Sequence, residues 1–181
     1  NLERNQIEIE NCIKYMKDTS EINFFNKNKQ NLNFVDTINK NIFLIECKYR
    51  ITLEPPDKYV FCDLLNTINM LLKQCVPNKK EIHVEIDELL DTQLLKQYID
   101  YHNDTIHHYI NLFYVILDFV YKFQSQNSDK SLEDYKRNIE IEFNDSNLDL
   151  NKLIVKFFYK MIEKINTIIK QREDFFKFIC K

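Results

Sequence analysis

The sequence predicts an α+β fold, mostly helical, built as two small modules with short antiparallel strands and a long C-terminal helix. Three observations predict it. Apolar residues alternate strictly over residues 42–53, a Pro55-Pro56 pair breaks the pattern, and the order of helix, short strand, helix and longer alternating segment occurs on both sides of that break.

In the first module, residues 4–17 place Ile9, Ile13 and Met16 at helical spacing, and Ile22, Phe24 and Phe25 follow in a strand-like segment over 21–25. A weaker helical pattern near 34–40 turns Phe34, Val35 and Ile38 inward. Then Phe43, Ile45, Cys47, Tyr49, Ile51 and Leu53 alternate with Ile42, Leu44, Glu46, Lys48, Arg50 and Thr52. A period of two over twelve residues predicts a strand, or two joined by a bend, with one face on a core. Pro55 and Pro56 end it, because neither donates to a ladder and Pro56 holds its predecessor extended. The first module is therefore 1–54, the linker 55–58 and the second module 59–181.

After the linker, Phe61, Leu64, Leu65, Ile68, Leu71, Leu72 and Cys75 form a broad helical stripe over 59–76, stopped at Pro77-Asn78. Ile82, Val84 and Ile86 alternate and predict a short strand over 81–86; Leu90, Leu94, Leu95 and Tyr98 predict a helix over 87–100. Asp104 or Thr105 is positioned to cap a helix over 104–123 whose apolar residues cover almost its whole circumference, as in a helix buried centrally or covered by a partner. Residues 124–137 are polar, and Ile139, Ile141 and Phe143 predict another strand over 138–143. The closing helix sets Ile154, Phe158, Met161, Ile165, Ile168, Phe175 and Ile179 at spacings of four and three, with Arg172 in one apolar position.

Short strands that pair with each other on a three-helix core make the plan of a winged helix, here in tandem. The segments "ENCIKYMKDTSEINFF", a helix passing directly to a strand, and "DFVYKFQ…NIEIEFNDSNLDLNKL", a helix, wing and return helix, carry a family resemblance. By this outline the chain resembles the C-terminal winged-helix pair of the Stn subunit of the telomere-capping CST complex, which serves as a telomerase accessory factor in ciliates. Both wings depart from that pattern in lacking glycine. The resemblance implies a nuclear module that docks other protein subunits, of a telomerase or polymerase-α type complex, in telomere maintenance or DNA replication. A separate OB-fold would handle single-stranded DNA.

Composition bounds the chemistry. With no glycine among 181 residues, phosphate-cradling loops, dinucleotide folds and the nucleophile elbow are excluded, since each needs positions that glycine alone fills comfortably. The formal charge of −3 argues against a domain that holds nucleic acid by itself, because phosphate neutralisation needs a basic excess. The helix over 104–123 brings only Lys122 as a full cation, too few for reading base edges, so any contact with nucleic acid is expected to be indirect. Five widely spaced cysteines, Cys12, Cys47, Cys62, Cys75 and Cys180, without a CxxC pair, read as buried thiols. No apolar run approaches the ~18 residues of a membrane span. The abundance of Asn, Lys and Ile matches an AT-rich eukaryotic genome, and the chain begins without Met, as an excised fragment does. The competing reading is an all-helical bundle of a secreted or surface protein of an AT-rich parasite, acting in host-cell interaction, with 41–53 an incidental hairpin or linker.

No catalytic, cofactor or metal motif is present. His102, His107 and His108 cluster with Asp104 but match no zinc spacing, and Glu85, Asp87, Glu88 and Asp91 crowd the start of a predicted helix, where its dipole favours them. The candidate partner-binding residues are Phe157 and Phe176, each one member of a Phe pair whose other member faces the seam, together with Tyr114 and Phe119 on the apolar helix. Lys48, Arg50, Lys79 and Lys80 are candidate weak phosphate contacts. The oligomeric state is open.

Overall fold

A computed structural model describes the backbone of residues 34–124, 129–145, 147 and 149–180, with side chains from 42 onward in the first stretch and from 132 in the second. The helices among the described residues are α1 (Phe34–Ile51), α2 (Tyr59–Cys75), α3 (Lys80–Leu89), α4 (Thr92–Asp100), α5 (Ile106–Phe123), α6 (Asp129–Phe143) and α7 (Leu150–Ile179). No strand occurs among the described residues. The chain forms two compact units, Asn1–Asp57 and Lys58–Lys181.

The α+β expectation, with its winged-helix modules and antiparallel strands, is therefore wrong for the described residues, and each described strand fails for the same reason. Residues 42–51 belong to α1. Leu44, Cys47 and Ile51 are buried at spacings of three and four, while Ile42 and Leu53 are exposed. Eight of the twelve residues over 42–53 are apolar, so the run satisfies a helical stripe as readily as a period of two. Glu46 and Arg50 face each other one turn apart at 4.0 Å, and Arg50 Nε also donates to Asp57 Oδ2 at 2.8 Å.

The segments 81–86 and 138–143 lie in α3 and α6. Ile86 is fully buried and Ile82 half-buried, but Val84 between them is 55% exposed. Likewise Ile139 and Phe143 are buried while Ile141 is 64% exposed. The outer members of an alternating triplet stand four positions apart, about one helical turn, so they fit both periods and only the middle one distinguishes them. Flanking residues decide the outcome: Leu132 extends the Ile139 stripe by two turns, through a segment that includes the helix formers Glu133, Lys136 and Arg137. The helix expected over 87–100 is two helices, because Asp91 caps a new start, its Oδ1 accepting from Gln93 N at 2.8 Å and Leu94 N at 3.1 Å. The helix over 4–17 and the strand over 21–25 lie outside the described residues. Of the two segments that carry the family resemblance, the first lies there too, and the "wing" of the second is the end of α6.

Within Lys58–Lys181, α2 packs against α3, α4, α5 and α7, and α7 also packs on α5 and α6. Val60, Phe61, Leu64, Leu65, Ile68 and Leu72 on α2 have no exposed surface. Phe113 on α5 joins the helices on the other side, stacked on Phe157 with centroids 3.8 Å apart and meeting Phe158 edge-on at 5.5 Å and Phe143 at 5.4 Å. Polar links close the periphery: Thr92 Oγ1 donates to Asn66 Oδ1 at 2.7 Å between α4 and α2, and Lys156 reaches Glu142 at 3.2 Å between α7 and α6.

The helical reading of the triplets has a direct consequence. Val84→Lys and Ile141→Lys change unfolding free energy by less than about 0.5 kcal/mol, whereas Ile86→Lys and Ile139→Lys cost more than ~3 kcal/mol. Urea denaturation followed by circular dichroism checks this; equal costs within each triplet would indicate strands.

Candidate partner-binding surfaces

Two of the three clustered histidines, His102 and His108, stand at helix ends. α4 ends in a Schellman motif, with Asn103 N donating to Tyr98 O at 2.8 Å and His102 N to Ile99 O at 3.1 Å. This places His102 at φ 53°, the left-handed position that glycine usually fills, in a chain that has none. His108 closes the start of α5: its Nδ1 accepts from Thr105 N at 3.2 Å, and its ring stacks on Tyr98 at 4.1 Å. Asp104 Oδ2 accepts from Lys58 Nζ at 2.7 Å and from the Tyr109 hydroxyl at 2.9 Å. Burial, reinforced by that bond to a carboxylate, pushes the Tyr109 phenol above its ordinary range, so it stays a donor. No His, Cys, Asp and Glu group arranged to hold a metal occurs among the described residues.

The carboxylates stand differently from their expected place. Glu85, Asp87 and Glu88 occupy the last turns of α3, the negative end of its dipole, rather than a helix start. Asp87 is compensated by Lys73 Nζ at 2.5 Å and Asn69 Nδ2 at 3.0 Å, whose hydrogen bonds hold its carboxyl below the usual range. Glu85 accepts from Lys122 Nζ at 3.1 Å. Glu88 has no ion-pair partner among the described residues, nor does Asp118 on α5.

These acids border a groove whose walls are α3 and α4 on one side and α5 on the other. One lobe, a cavity of about 220 Å³, is lined by Leu94, Leu95, Tyr98, His108 and Leu112, with Glu88 and Asp91. A second, of about 360 Å³, is lined by Glu85, Asp118, Phe119, Tyr121 and Lys122. The lobes adjoin at Leu89 and Val115, which line both. Sequence reasoning missed this surface, although the Leu89-Leu90 and Leu94-Leu95 doublets carry a signal. Each doublet buries its second residue and leaves its first about half exposed, Leu89 at 49% and Leu94 at 44%.

The second apolar surface is the end of α7. Arg172 is half-buried; its guanidinium donates to the carbonyl of Cys75, the last residue of α2, and to that of Phe123, the last of α5, at 3.0 Å to Phe123. One cation thereby meets orphan carbonyls and the negative dipole ends of two helices. Cys75, buried beside it, has its thiol pushed up to about 11, burial outweighing the nearby Arg172 charge. Beyond Arg172, every residue from 173 to 180 is exposed, including Phe175, Phe176, Phe178 and Ile179 at 60–79%.

Of the candidate partner residues, Phe176 stands on that exposed end, while Phe157 and Phe119 are 2% exposed. Tyr114 is half-buried, its hydroxyl donating to Glu140 Oε1 at 2.5 Å. Lys48 and Arg50 are half-buried on α1 in the first unit; Lys79 and Lys80 are exposed at the start of α3 in the second. Cys47, Cys62 and Cys75 are buried thiols and Cys180 is an exposed one; Cys12 lies outside the described residues. None of the described helices is long and apolar enough to cross a membrane. Comparison with protein-family models, curated proteins and solved structures finds no match.

Two substitutions test these assignments. Arg172→Met, which keeps the stem but removes the donors, lowers unfolding free energy by roughly 2 kcal/mol, and Arg172→Lys recovers only part of it. His102→Gly raises it by about 0.5–1 kcal/mol, since the left-handed cost disappears, while His102→Ala gives no such gain. Denaturant midpoints at unchanged m-value read both.

Proposed function

We propose that the chain is a non-enzymatic helical docking domain that holds another protein subunit. The observation that carries this reading is the end of α7, where Phe175, Phe176, Phe178 and Ile179 stand exposed within five residues. A soluble surface seldom leaves so many large apolar side chains together unless something covers them, and aromatic residues are the usual anchors of an interface. Among the described residues, His108 and Asp91 serve helix caps, and Asp104, Asp87 and Glu85 pair with lysines, which supports the same reading. Of the basic residues considered for phosphate, Arg50 is engaged with Asp57 and Glu46, so an indirect relation to nucleic acid is retained at most.

A place in a telomerase or polymerase-α type assembly rests on the winged-helix order, and without the strands the helical architecture favours no particular assembly. The all-helical alternative, a surface or secreted bundle that contacts a host protein, fits the helices α1–α7 and uses the same kind of exposed end.

Replacing Phe175, Phe176 and Phe178 together by Ser separates docking from folding. The triple variant keeps helical content and denaturation midpoint, because these side chains contribute little to the core, yet weakens retention of the native partner by at least tenfold. Quantitative cross-linking in the source cell measures the second quantity. Identical cross-linked partners for parent and variant would remove the proposal.

A further inference from the structure

We infer that the groove between α3–α4 and α5 is a second docking site, for a basic amphipathic helix of a partner protein. Its lobes, about 220 and 360 Å³, fall below and near the lower end of the ~300–1,000 Å³ of small-molecule pockets, and suit the side chains of a peptide rather than a cofactor. Leu89, Leu94 and Val115 give the groove apolar lining, with Leu89 and Leu94 about half exposed, of the kind an amphipathic helix buries its apolar face against. The walls select the charge of the occupant. Four carboxylates, Glu85, Glu88, Asp91 and Asp118, line the two lobes against one lysine, Lys122, which Glu85 already engages.

The placement of Glu88 sharpens this. At the C-terminal end of α3 a carboxylate opposes the helix dipole, and no described cation compensates it, so its position does not serve the stability of α3. Asp118 stands on the opposite wall, also without an ion-pair partner among the described residues. A helix lying between the two walls would place Lys or Arg against both carboxylates while its apolar face fills the lobes. The same charges repel nucleic acid and anionic membrane surfaces. A second copy bringing its α7 end is a poorer match, because Glu173 and Asp174 there offset Lys170 and Lys177.

The inference rests on no property of the α7 end, and its test leaves that end intact. Two fluorescent 18-residue probe peptides share one helical Leu pattern, with Lys on the polar face of one and Glu on the polar face of the other; the length is about that of five helical turns. The full chain binds the Lys peptide at least tenfold more tightly than the Glu peptide at ~0.1 M salt. Glu88→Lys with Asp118→Lys reverses the preference, Leu94→Ser weakens the Lys peptide by about tenfold, and Glu163→Lys, on the exposed face of α7, changes neither affinity. Equal affinities, an equal effect of Glu163→Lys, or parent self-association that Leu94→Ser abolishes would each overturn the assignment. The triple Ser variant of the α7 end binds the Lys peptide like the parent, which separates failure here from failure of the docking reading above.

Discussion

The apolar stripe of α2 must be covered along its length, and the architecture of Lys58–Lys181 follows from how α7 covers it. α2 has 17 residues and α7 has 30, so their lengths are about 25 and 45 Å at 1.5 Å per residue. α7 therefore outruns its partner. Its last buried residue is Ile168, and the next position on the same stripe is Arg172, where α2 and α5 end and present carbonyls instead of side chains. A cation at that point in an apolar seam is what the chemistry of two helix termini requires. Past it the stripe continues in sequence with nothing of α2 left to cover.

The absence of glycine makes the caps informative. N-caps need only a short polar side chain, and Asp91 and Asp149 provide it by accepting from the first free amides of α4 and α7. C-caps ordinarily rely on glycine in the left-handed region, and this chain substitutes two other devices: His102 accepts the strain after α4, and Arg172 replaces backbone geometry with side-chain donors after α2 and α5. In sequence, His102 belongs to a cluster weighed as a metal site and Arg172 stands in one position of an apolar repeat. The use of Arg172 in a cap explains a charge that breaks a hydrophobic repeat.

The long stripes of α2, α5 and α7 were legible because a period repeated over several turns cannot be imitated by alternation. The short triplets were not, since Ile82, Val84 and Ile86 or Ile139, Ile141 and Phe143 fit either period until the middle residue is seen to face solvent. The run at 42–53 failed at the other extreme: with eight apolar residues in twelve, it contains a helical stripe and an alternating face at once. Local pattern also gave no access to the groove, which exists only because Asp91 interrupts what reads as one helix and turns α4 to stand beside α5. The unpaired state of Glu88 depends on which cations neighbouring helices bring, and that is a tertiary fact.

The two phenylalanine pairs of α7 show how position decides what an aromatic residue does. In sequence Phe157-Phe158 and Phe175-Phe176 are equivalent, one member on the seam and one off it. Phe157 and Phe158 are both buried, because α7 at that level is enclosed on two sides, with Phe113 of α5 meeting both rings and Tyr135 of α6 stacking on Phe157 at 6.2 Å. Neither Phe175 nor Phe176 is buried, although Phe175 continues the seam spacing, because no described helix of the bundle extends to that level. Seam membership thus predicts burial only where a facing helix still runs alongside. In the docking role proposed above, the place where coverage stops is the place where another molecule binds.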